Sequence, residues 1–563
     1  ISALLLGSSN VMATQTAESS IYGVAEQLQT ITVTGVVLDA TGEPIIGASV
    51  VEKGTTNGGI TDINGKFTLS VKQGAVLKIS YVGYQTQEVK AVRTMKIILK
   101  EDSEILSEVV VVGYGSQKRA NLTGAIATVD VSKTLEGRQI ADIGRGLQGT
   151  TPGLSVVIPS GEIGSDPTIK VRGQIGSIDG SSTPLILLDN VEIPSIQMVN
   201  PDDVESITVL KDAASASIYG AKAAFGVVLI TSKKGARNEK VEVSYSGNFS
   251  WQNISKKMEM AGVDGIQYRI DALKRAKGTL YGAFWYVDET SLERAKEWEN
   301  TWGGKLGVND PFVYGRDWYV DASNRKFSIR TFDPYDYMIR EWTPSQTHNI
   351  SLSGKSGKTT FNVGLGYLDQ NGLMKVAKHD DFRRWNGSIR LSTEINKYIT
   401  ARAGANYSKR NKRYAYATNS TTADPWLYLY RWDSTYPMGY DENGNEMRSP
   451  ASEVHQANTA NKEDNYLSFN VGATLKITKD WKFDIDYTYA GEDQIWKKNG
   501  TKYTAADTWT APVKRLDGNG NQIYVNNKGE VVSAGSQGAM PAYDLNYRQY
   551  TADGGNPDHI RRQ

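Results

Sequence analysis

From residue 240 onward, apolar and polar residues alternate, and this alternation constrains the fold more than any other feature of the sequence. In VEVSYSGNFSWQ, the side chains on one face of a strand would be Val241, Val243, Tyr245, Phe249 and Trp251. The same period recurs in TFNVGLGY, YITARAGANY, LSFNVGATLKI and WKFDIDYTY. We count about seven such strands, each near the ~9–11 residues that cross a bilayer at a tilt.

The connections between these strands alternate strictly in length. Asn396-Lys397, Thr478–Asp480 and the KSGK stretch at Lys355–Lys358 are short. The long segments run over 253–347, about 371–381 and 409–464. Short turns at one end and long loops at the other are typical of an up-and-down membrane barrel, and a soluble sandwich has no reason to keep this order. Helix-like stretches in the first long segment predict a surface feature of its own.

Hydropathy agrees with this interpretation. No stretch approaches 18 apolar residues, so the sequence predicts no membrane helix. The mean hydropathy of −0.42 would ordinarily indicate a soluble protein, but alternating barrel strands average out in such an index. The first residues, ISALLLGSSNVMA, predict the remnant of a secretory signal peptide over 1–13, with cleavage after Ala13.

The region 31–100 contains short β-rich runs separated by turn sequences such as DATGEP, DINGK and KQG. Its length and spacing predict a small immunoglobulin-like β-sandwich. The DINGK stretch starts like a calcium loop, but the later ligand positions do not follow, so we predict a hairpin turn.

A charged linker follows, and then the stretch EVVVVGYG at Glu108–Gly115. It fails as a dinucleotide fingerprint because Lys118 occupies the third glycine position and no helix pattern follows. An isolated β-branched run between polar flanks can instead add as a strand to the sheet edge of a partner. Behind it, residues 146–235 predict a mixed α/β region with one small-residue helix, DAASASIYGAKAA.

Nothing in the sequence predicts an enzyme, a cofactor or a metal site. The chain has no cysteine, and its four histidines are scattered without metal-ligand spacing. DENGN at Asp441 and DGNGN at Asp517 imitate EF-hand starts, but their sixth positions are Glu446 and Gln522, so hairpins are predicted. Asp484 and Asp486 predict part of a polar wall. A net charge of +1 gives no basic field for nucleic acid.

Consecutive parts of the chain resemble two known families. GEPIIGASVVEKGTTNGGITDINGKFTLSV and ISYVGYQTQEV resemble the carboxypeptidase-regulatory-like domain. EVVVVGYG resembles the TonB box of SusC-like TonB-dependent transporters. LQGTTPGLSV, IKVRG, PLILLDNVEI and the segment over 200–235 resemble the plug of that family, in the same order. One departure is Asn190, where the family usually has Gly; Asn also tolerates a positive φ.

The resemblance implies two sets of functional residues. The TonB box would comprise Glu108, Val109, Val110, Val111, Val112, Gly113 and Tyr114. The plug signature would comprise Arg172, Gly173, Asp189, Glu205, Lys211, Asp212, Tyr219, Gly220 and Gly226. Arg172 and Glu205 are either partners of charges on the barrel lumen or ordinary surface charges of the plug, and the sequence does not separate these alternatives.

The implied protein is mainly β, with an N-terminal immunoglobulin-like β-sandwich, a mixed α/β plug and a partial antiparallel transmembrane β-barrel. Its domains would be a signal-peptide remnant (1–13), the carboxypeptidase-regulatory-like sandwich (31–100), a linker with the TonB box (101–124), the plug (125–235) and the N-terminal part of the barrel (240–563). The sequence further predicts a fragment, truncated at its C-terminus, whose first and last barrel strands are free edges, because plugged barrels use about 22 strands.

The resemblance also implies active import of oligosaccharides or oligopeptides across the outer membrane. The partners would be TonB with its inner-membrane motor, a SusD-like surface lipoprotein, a glycan or peptide substrate and outer-membrane lipid, with the sandwich in the periplasm. Within the same class, a siderophore or cobalamin receptor is an alternative. From other classes, a surface adhesin and a secreted enzyme with a regulatory-like domain are alternatives.

Overall fold

The structure is a computed structural model that carries side chains. It describes residues 30–39, 42–81, 84–100, 109–112, 115–118, 126–134, 143–158, 163–173, 183–235, 240–276, 284–416, 425–478, 481–498, 500–552 and 558–562. The signal-peptide prediction for 1–13 lies outside these ranges. Within them, no helix has both the length and the apolar character needed to cross a membrane.

The N-terminal unit is a sandwich of two small sheets, as the sequence predicts. Its strands are β1 (Thr30–Leu38), β2 (Ser49–Glu52), β3 (Gly58–Ile60), β4 (Lys66–Lys72), β5 (Val76–Ser80), β6 (Gln87–Lys90) and β7 (Thr94–Ile98). One sheet has the order β4-β1-β7 and the other β3-β2-β5-β6. Alternating apolar residues, among them Val33, Val50 and Ile79, are fully buried between the sheets. Asp62 accepts backbone hydrogen bonds from Asn64 and Lys66, so DINGK forms the predicted turn.

The plug is built on a five-stranded mixed sheet. The elements over 109–232 are β8 (Val109–Val112), β9 (Gly115–Lys118), β10 (Ile126–Asp130), α1 (Val131–Thr134), α2 (Ile143–Leu147), β11 (Leu154–Val157), β12 (Thr168–Val171), β13 (Leu185–Leu188), β14 (Val191–Glu192), β15 (Val204–Leu210), α3 (Ala213–Ala216) and β16 (Val227–Ser232). The order β10-β15-β16-β13-β14 contains one parallel pair, β13 with β16. β8 pairs with β9, and β11 pairs with β12.

The small-residue helix of the plug is shorter than predicted. DAASASIYGAKAA forms α3 only to Ala216, and a three-ten segment, Ser217–Ala223, follows. That segment is interrupted at Gly220, whose φ of 64° and ψ of −149° lie outside any helix. A glycine reaches this backbone conformation without the steric cost that a side chain brings, so the predicted single helix is broken there.

The remaining residues contain a large antiparallel sheet and the segments that connect its strands. The elements are β17 (Glu242–Gln252), α4 (Gly262–Arg275), α5 (Glu289–Trp302), β18 (Trp318–Val320), β19 (Lys326–Ser328), α6 (Pro334–Met338), β20 (Thr343–Ser356), β21 (Thr359–Asn371), β22 (Asp381–Glu394), β23 (Ile399–Tyr416), α7 (Pro425–Arg431), α8 (Pro450–Gln456), β24 (Asn458–Lys476), β25 (Lys482–Lys497), β26 (Thr501–Asp507), β27 (Val513–Lys514), β28 (Tyr524–Val525), β29 (Val531–Val532), β30 (Met540–Pro541), β31 (Tyr543–Asp544), β32 (Asn546–Ala552) and β33 (Asp558–Arg562).

The large sheet has eight strands in the order β17-β20-β21-β22-β23-β24-β25-β33. The seven strands with apolar alternation are confirmed, and β33 is an eighth that the sequence analysis missed because DHIRR has no such alternation. β23 and β24 are 18 and 19 residues long, so they reach well into the segment predicted as loop over 409–464. Within the described strands the sheet is open, since β17 pairs only with β20 and β33 only with β25.

One face of the large sheet, here called the apolar face, exposes its hydrophobic side chains. The exposed set includes Val243, Tyr245, Phe249, Trp251, Ile350, Leu365, Ile389, Leu391, Phe469, Val471, Phe483, Ile485, Tyr487 and Tyr489. On β22 this set runs from Trp385 to the turn residue Ile395, which at about 3.3 Å per residue and a tilt near 45° gives a band roughly 23 Å tall. Tyr367 and Trp385 lie at the end of the band nearer the connection between β21 and β22, and the charged pair Asp369–Arg383 lies just beyond them.

The long connections all leave the same end of the sheet, and they fold together. An aromatic core joins Trp285, Phe312, Tyr314, Trp318 and Phe332 from the first long connection with Met447 from the third and Val525 and Leu545 from the last. Both predicted helices of the first connection are present as α4 and α5. As predicted, this connection has a core of its own, in which Ile270 of α4, Leu292 of α5 and Phe327 of β19 are buried together, while a second part of it, the aromatic core, is covered by distant segments. We call this assembly the loop domain.

The loop domain buries a lysine, Lys326, which no carboxylate contacts among the described residues. The Nζ of Lys326 donates to the carbonyl oxygens of Thr508 and Thr510, both at 2.6 Å, and lies 5.0 Å from the ring centroid of Trp285. Burial lowers the pKa of Lys326 from its usual value near 10.5 to about 8. Burial raises the pKa of Tyr337 and of Tyr550 to about 12, so these phenols keep their protons at the pH where Lys326 titrates.

We therefore predict that the contribution of Lys326 to the stability of the loop domain rises as the pH increases from about 8 to about 10.5. In this window the unfolded chain binds a proton at Lys326 that the folded domain has released, so deprotonation favours the folded state. Limited proteolysis of the connections at pH 7.5 and 9.5 measures the effect. Lys326→Met should flatten the difference, and equal pH dependence in both proteins would contradict the prediction.

Candidate functional site

The plug lies against the polar face of the large sheet, here called the plug-facing face. The buried core of the plug includes Leu147, Val204 and Ile207, and it continues onto the sheet through Tyr466 of β24. The other side chains of this face are mostly Ser, Thr, Asn, Gly and Arg, which gives the plug hydrogen-bonding partners in place of apolar surface. The plug and this face are joined by hydrogen bonds and ion pairs between such polar groups.

An ion pair between Asp189 and Arg390 forms the most extensive of these contacts. Asp189 follows β13 in a tight turn where it and Asn190 have φ values of 48° and 68°. Its carboxylate accepts hydrogen bonds from the backbone N–H and hydroxyl of Ser232. On the other side, Arg390 of β22 donates to it through Nη2 at 2.6 Å and Nε at 3.0 Å. Arg390 also donates to Asn406 and the carbonyl oxygen of Ala405.

Asp203 makes a second plug–sheet contact, with Ser388, which precedes Arg390 by two residues on β22. Its carboxylate accepts a 2.9 Å hydrogen bond from the hydroxyl of Ser388 on β22. Burial raises the pKa of the Asp203 carboxyl group, while the Ser388 hydrogen bond opposes that rise. A Cβ at position 364 of β21 would overlap this carboxylate, so Gly364 provides the space that the plug occupies.

Two carbonyl oxygens and one hydroxyl of the plug extend the contact toward the loop domain. Arg384 donates to the carbonyl oxygen of Gln197 at 3.0 Å, and Asn386 donates to that of Met198 at 2.6 Å. Arg410 of β23 donates to Ser195 at 3.0 Å. Its guanidinium also bridges two carboxylates, Asp166 of the plug at 3.2 Å and Asp464 of β24 at 3.0 Å.

The structure brings most of the plug-signature residues together around one cleft. This cleft has a volume of about 420 Å³, and its lining includes Arg172, Lys211, Asp212, Gly220 and Gly226. Lys211 donates to the carbonyl oxygen of Pro152, and burial together with the charge of Arg172 lowers its pKa. Asp212 caps α3 by accepting from the N–H of Ser215 at 2.7 Å. Gly226, with φ 92°, lies where a Cβ would press on Val171.

The other signature residues lie apart from this lining. Gly173 and Glu205 are exposed, and Tyr219 packs beside the apolar cluster around Leu187 and Leu229. Arg172, which does line the cleft, is also exposed, and its backbone N–H donates to the carbonyl oxygen of Gly153. Among the described residues, neither Arg172 nor Glu205 forms an ion pair with the large sheet, and the plug carboxylates in that role are Asp189 and Asp166.

The predicted TonB box is described only in part. Val109–Val112 form β8, in agreement with an extended run of β-branched residues. Glu108, Gly113 and Tyr114 lie outside the described residues.

Sequence reasoning missed the plug–sheet partners Asp166, Ser195, Asp203, Arg390 and Arg410. Four of them share one signal, an arginine or carboxylate at a polar position of an alternating strand or in a plug turn, and Ser195 lacks it. That signal also marks any solvated surface, so pairing became visible only in the folded chain. The acid pair Asp484 and Asp486 does form part of a polar wall, because Arg402 of β23 binds both carboxylates.

We predict that Asp189→Asn loosens the plug from the sheet. The substitution leaves the partly buried guanidinium of Arg390 without its carboxylate, and we expect local opening of β13 and β16 to become easier by about 1–2 kcal/mol. Amide hydrogen exchange measures this opening. The matched control is Glu192→Gln, which removes an exposed ion pair with Lys222 elsewhere on the plug. Unchanged exchange in Asp189→Asn, or an equal change in the control, would contradict the prediction.

Comparisons with known proteins agree with this arrangement. Residues 119–227 match the TonB-dependent receptor plug domain, and residues 33–112 match the CarboxypepD_reg-like domain. The TonB-dependent receptor SusC of Bacteroides thetaiotaomicron is 33% identical over 435 residues, which cover 74% of this chain and 38% of SusC. A TonB-dependent receptor of Formosa agariphila is 28% identical over 505 residues, covering 87% of this chain and 46% of that protein. The chain thus spans less than half the length of these relatives.

Among solved structures, the chain is similar to the RagAB peptide importer in its open-open state. That match has a TM-score of 0.49 and 19% identity, and it covers 79% of this chain and 53% of the other. The siderophore receptor PirA from Pseudomonas aeruginosa matches with a TM-score of 0.33 and 12% identity, covering 67% of this chain and 43% of the other. On its two matched domains and its similarity to SusC, the chain belongs to the SusC-like TonB-dependent receptors.

Proposed function

We propose that this protein imports oligosaccharides or oligopeptides across the outer membrane, driven by TonB and its inner-membrane motor. A SusD-like surface lipoprotein is the proposed partner at the loop domain, and the sandwich is proposed to lie in the periplasm. The observation that carries the proposal is the plug, which is attached to the sheet by hydrogen bonds and ion pairs. The proposed role needs neither a catalytic residue nor a cofactor.

The two faces of the large sheet support this role. The apolar face would contact outer-membrane lipid over a band of about the height of a bilayer core, with aromatic and charged residues at its margin. The plug-facing face offers hydrogen-bonding groups to whatever occupies the space beside it. A plug on such a surface closes a pathway and can still be moved, because polar contacts exchange with water at small net cost.

The proposed handle for that movement is the segment 108–114. A β-branched strand can add to the edge of a partner sheet through backbone hydrogen bonds, and pulling along the strand then loads all of them together. In this proposal the sandwich spans 31–100, the linker with the handle 101–124, the plug 125–235 and the barrel part 240–563. The handle would then lie between the sandwich and the plug, so that a force on it reaches the plug directly.

The proposal predicts that Val110→Pro abolishes uptake in the full-length protein. Proline removes a backbone N–H and fixes φ, so the strand can no longer pair fully with a partner. Substrate binding and membrane assembly should persist, because the change lies outside the sheet and the loop domain. Uptake of a labelled oligosaccharide or oligopeptide by intact cells is the measurement. Val110→Ile keeps β-branching and should import normally, and import by Val110→Pro at the normal rate would refute the handle.

A further inference from the structure

The plug-facing side of β23, β24 and β25 carries a group of lysines and aromatic rings near the loop domain. We call this group the lysine–aromatic patch, and it comprises Lys412, Tyr414, Tyr416, Lys462, Trp496 and Lys498. The strand register places Lys412, Lys462 and Trp496 in one row, with Lys462 opposite both of the others. Carboxylates lie one row nearer the plug, where Asp464 faces Arg410.

The rings and ammonium groups of the patch are in contact. The Nζ of Lys498 lies 3.8 Å from the ring centroid of Trp496, and that of Lys412 lies 5.3 Å from the ring of Tyr414. The indole N–H of Trp496 donates to the hydroxyl of Tyr414 at 2.9 Å. These contacts hold the rings in place while leaving them half-buried, so ring surface and positive charge are presented together.

A polar cavity of about 230 Å³ adjoins the patch. Its lining includes the cations Lys462 and Arg410, the carboxylates Glu492 and Asp166, and the polar side chains of Gln494 and Ser195. The Arg410 side chain is only 8% exposed, and its Nε has no hydrogen-bonding partner in the described structure. A buried guanidinium N–H without a partner is costly, and a ligand or water oxygen in this cavity would satisfy it.

The patch favours a ligand with negative charge and flat apolar faces. Carboxylate or sulfate groups bind strongly to ammonium groups that are partly removed from water. The backbone groups of β23 and β24 are already paired in the sheet, so the wall offers side chains alone. A peptide would gain no backbone hydrogen bonds from this wall, whereas a sugar ring needs only a side chain to stack on and hydroxyl partners.

We propose that the lysine–aromatic patch and the adjoining cavity bind an acidic oligosaccharide, one that carries carboxylate or sulfate groups. This inference rests on the proposed import function and specifies its substrate class. An anionic chain that arrives from the loop domain meets Lys498, Lys412 and Lys462 first, and then Arg410 with its carboxylate partners beside the plug. The ligand would therefore rest on the plug before import.

Binding to the detergent-solubilised full-length protein tests this inference by calorimetry. The probes are tetragalacturonate for carboxylate alone, a chondroitin sulfate tetrasaccharide for sulfate together with carboxylate, neutral maltotetraose, and tetraglutamate as an acidic peptide. We expect at least one acidic saccharide to bind about tenfold more tightly than maltotetraose, with a preference that shrinks in high salt. No preference over maltotetraose, or tighter binding of tetraglutamate than of both acidic saccharides, would overturn the proposal.

Single substitutions locate the site. Lys462→Gln and Lys498→Gln should each weaken the acidic saccharide about fivefold and leave maltotetraose unchanged. The matched control is Lys497→Gln, because Lys497 is the last residue of β25 and lies on the opposite face of the sheet, and this variant should bind normally. Equal loss of affinity for the acidic saccharide in the control would place the site elsewhere and overturn the proposal. If a variant fails to fold, the preference of the unsubstituted protein for acidic saccharides over maltotetraose remains an independent test.

The outcome separates this inference from the proposed function. If a neutral substrate is imported in a manner that Val110→Pro abolishes, while acidic saccharides show no preference, only the substrate class is wrong. If no uptake of any probe depends on Val110, the import function itself is wrong.

Discussion

The hydrogen bonds between the plug and the polar face of the large sheet are the contacts on which the rest of this structure depends. Asp189 with Arg390, Asp203 with Ser388, and Asp166 with Arg410 connect three plug turns to two neighbouring strands. Each pair is at least partly removed from water, so a polar group that loses its partner while it stays buried is costly. When the plug moves away, water replaces the lost partner, and the net cost is small. A plug attached mainly by apolar packing would lack this property.

The same requirement explains the composition of the sheet. The apolar face contacts no polar partner among the described residues. The plug-facing face is rich in Ser, Asn, Gly and Arg because it forms hydrogen bonds with the plug, and it also carries the lysine–aromatic patch. Gly364 is needed where the Asp203 carboxylate approaches the strand. Further along the strands, carboxylates give way to lysines and rings, so the face that binds the plug at one level offers a different surface at the next.

Periodicity in the sequence was sufficient to predict the strands with apolar alternation, the alternating connections and the sandwich, because each depends on local patterns of burial and turn residues. It could not predict the loop domain, since Trp285 and Phe312 are covered by residues such as Val525 more than two hundred positions away. The helix break at Gly220 and the partners of Asp189 and Arg410 depend on tertiary contacts in the same way. The family resemblance identified the signature residues, among which Asp189 contacts the sheet through an ion pair.

The central claim is that the plug must leave the polar face for import to occur. These 563 residues contain no cysteine, so a pair introduced as Asp203→Cys and Ser388→Cys would form the one disulfide possible within them. These side chains are already in contact, with a 2.9 Å hydrogen bond between them. In the full-length protein, import should stop when the pair is oxidised and return after reduction, while either single variant imports under both conditions. Import at the normal rate by a fully cross-linked protein would contradict the account.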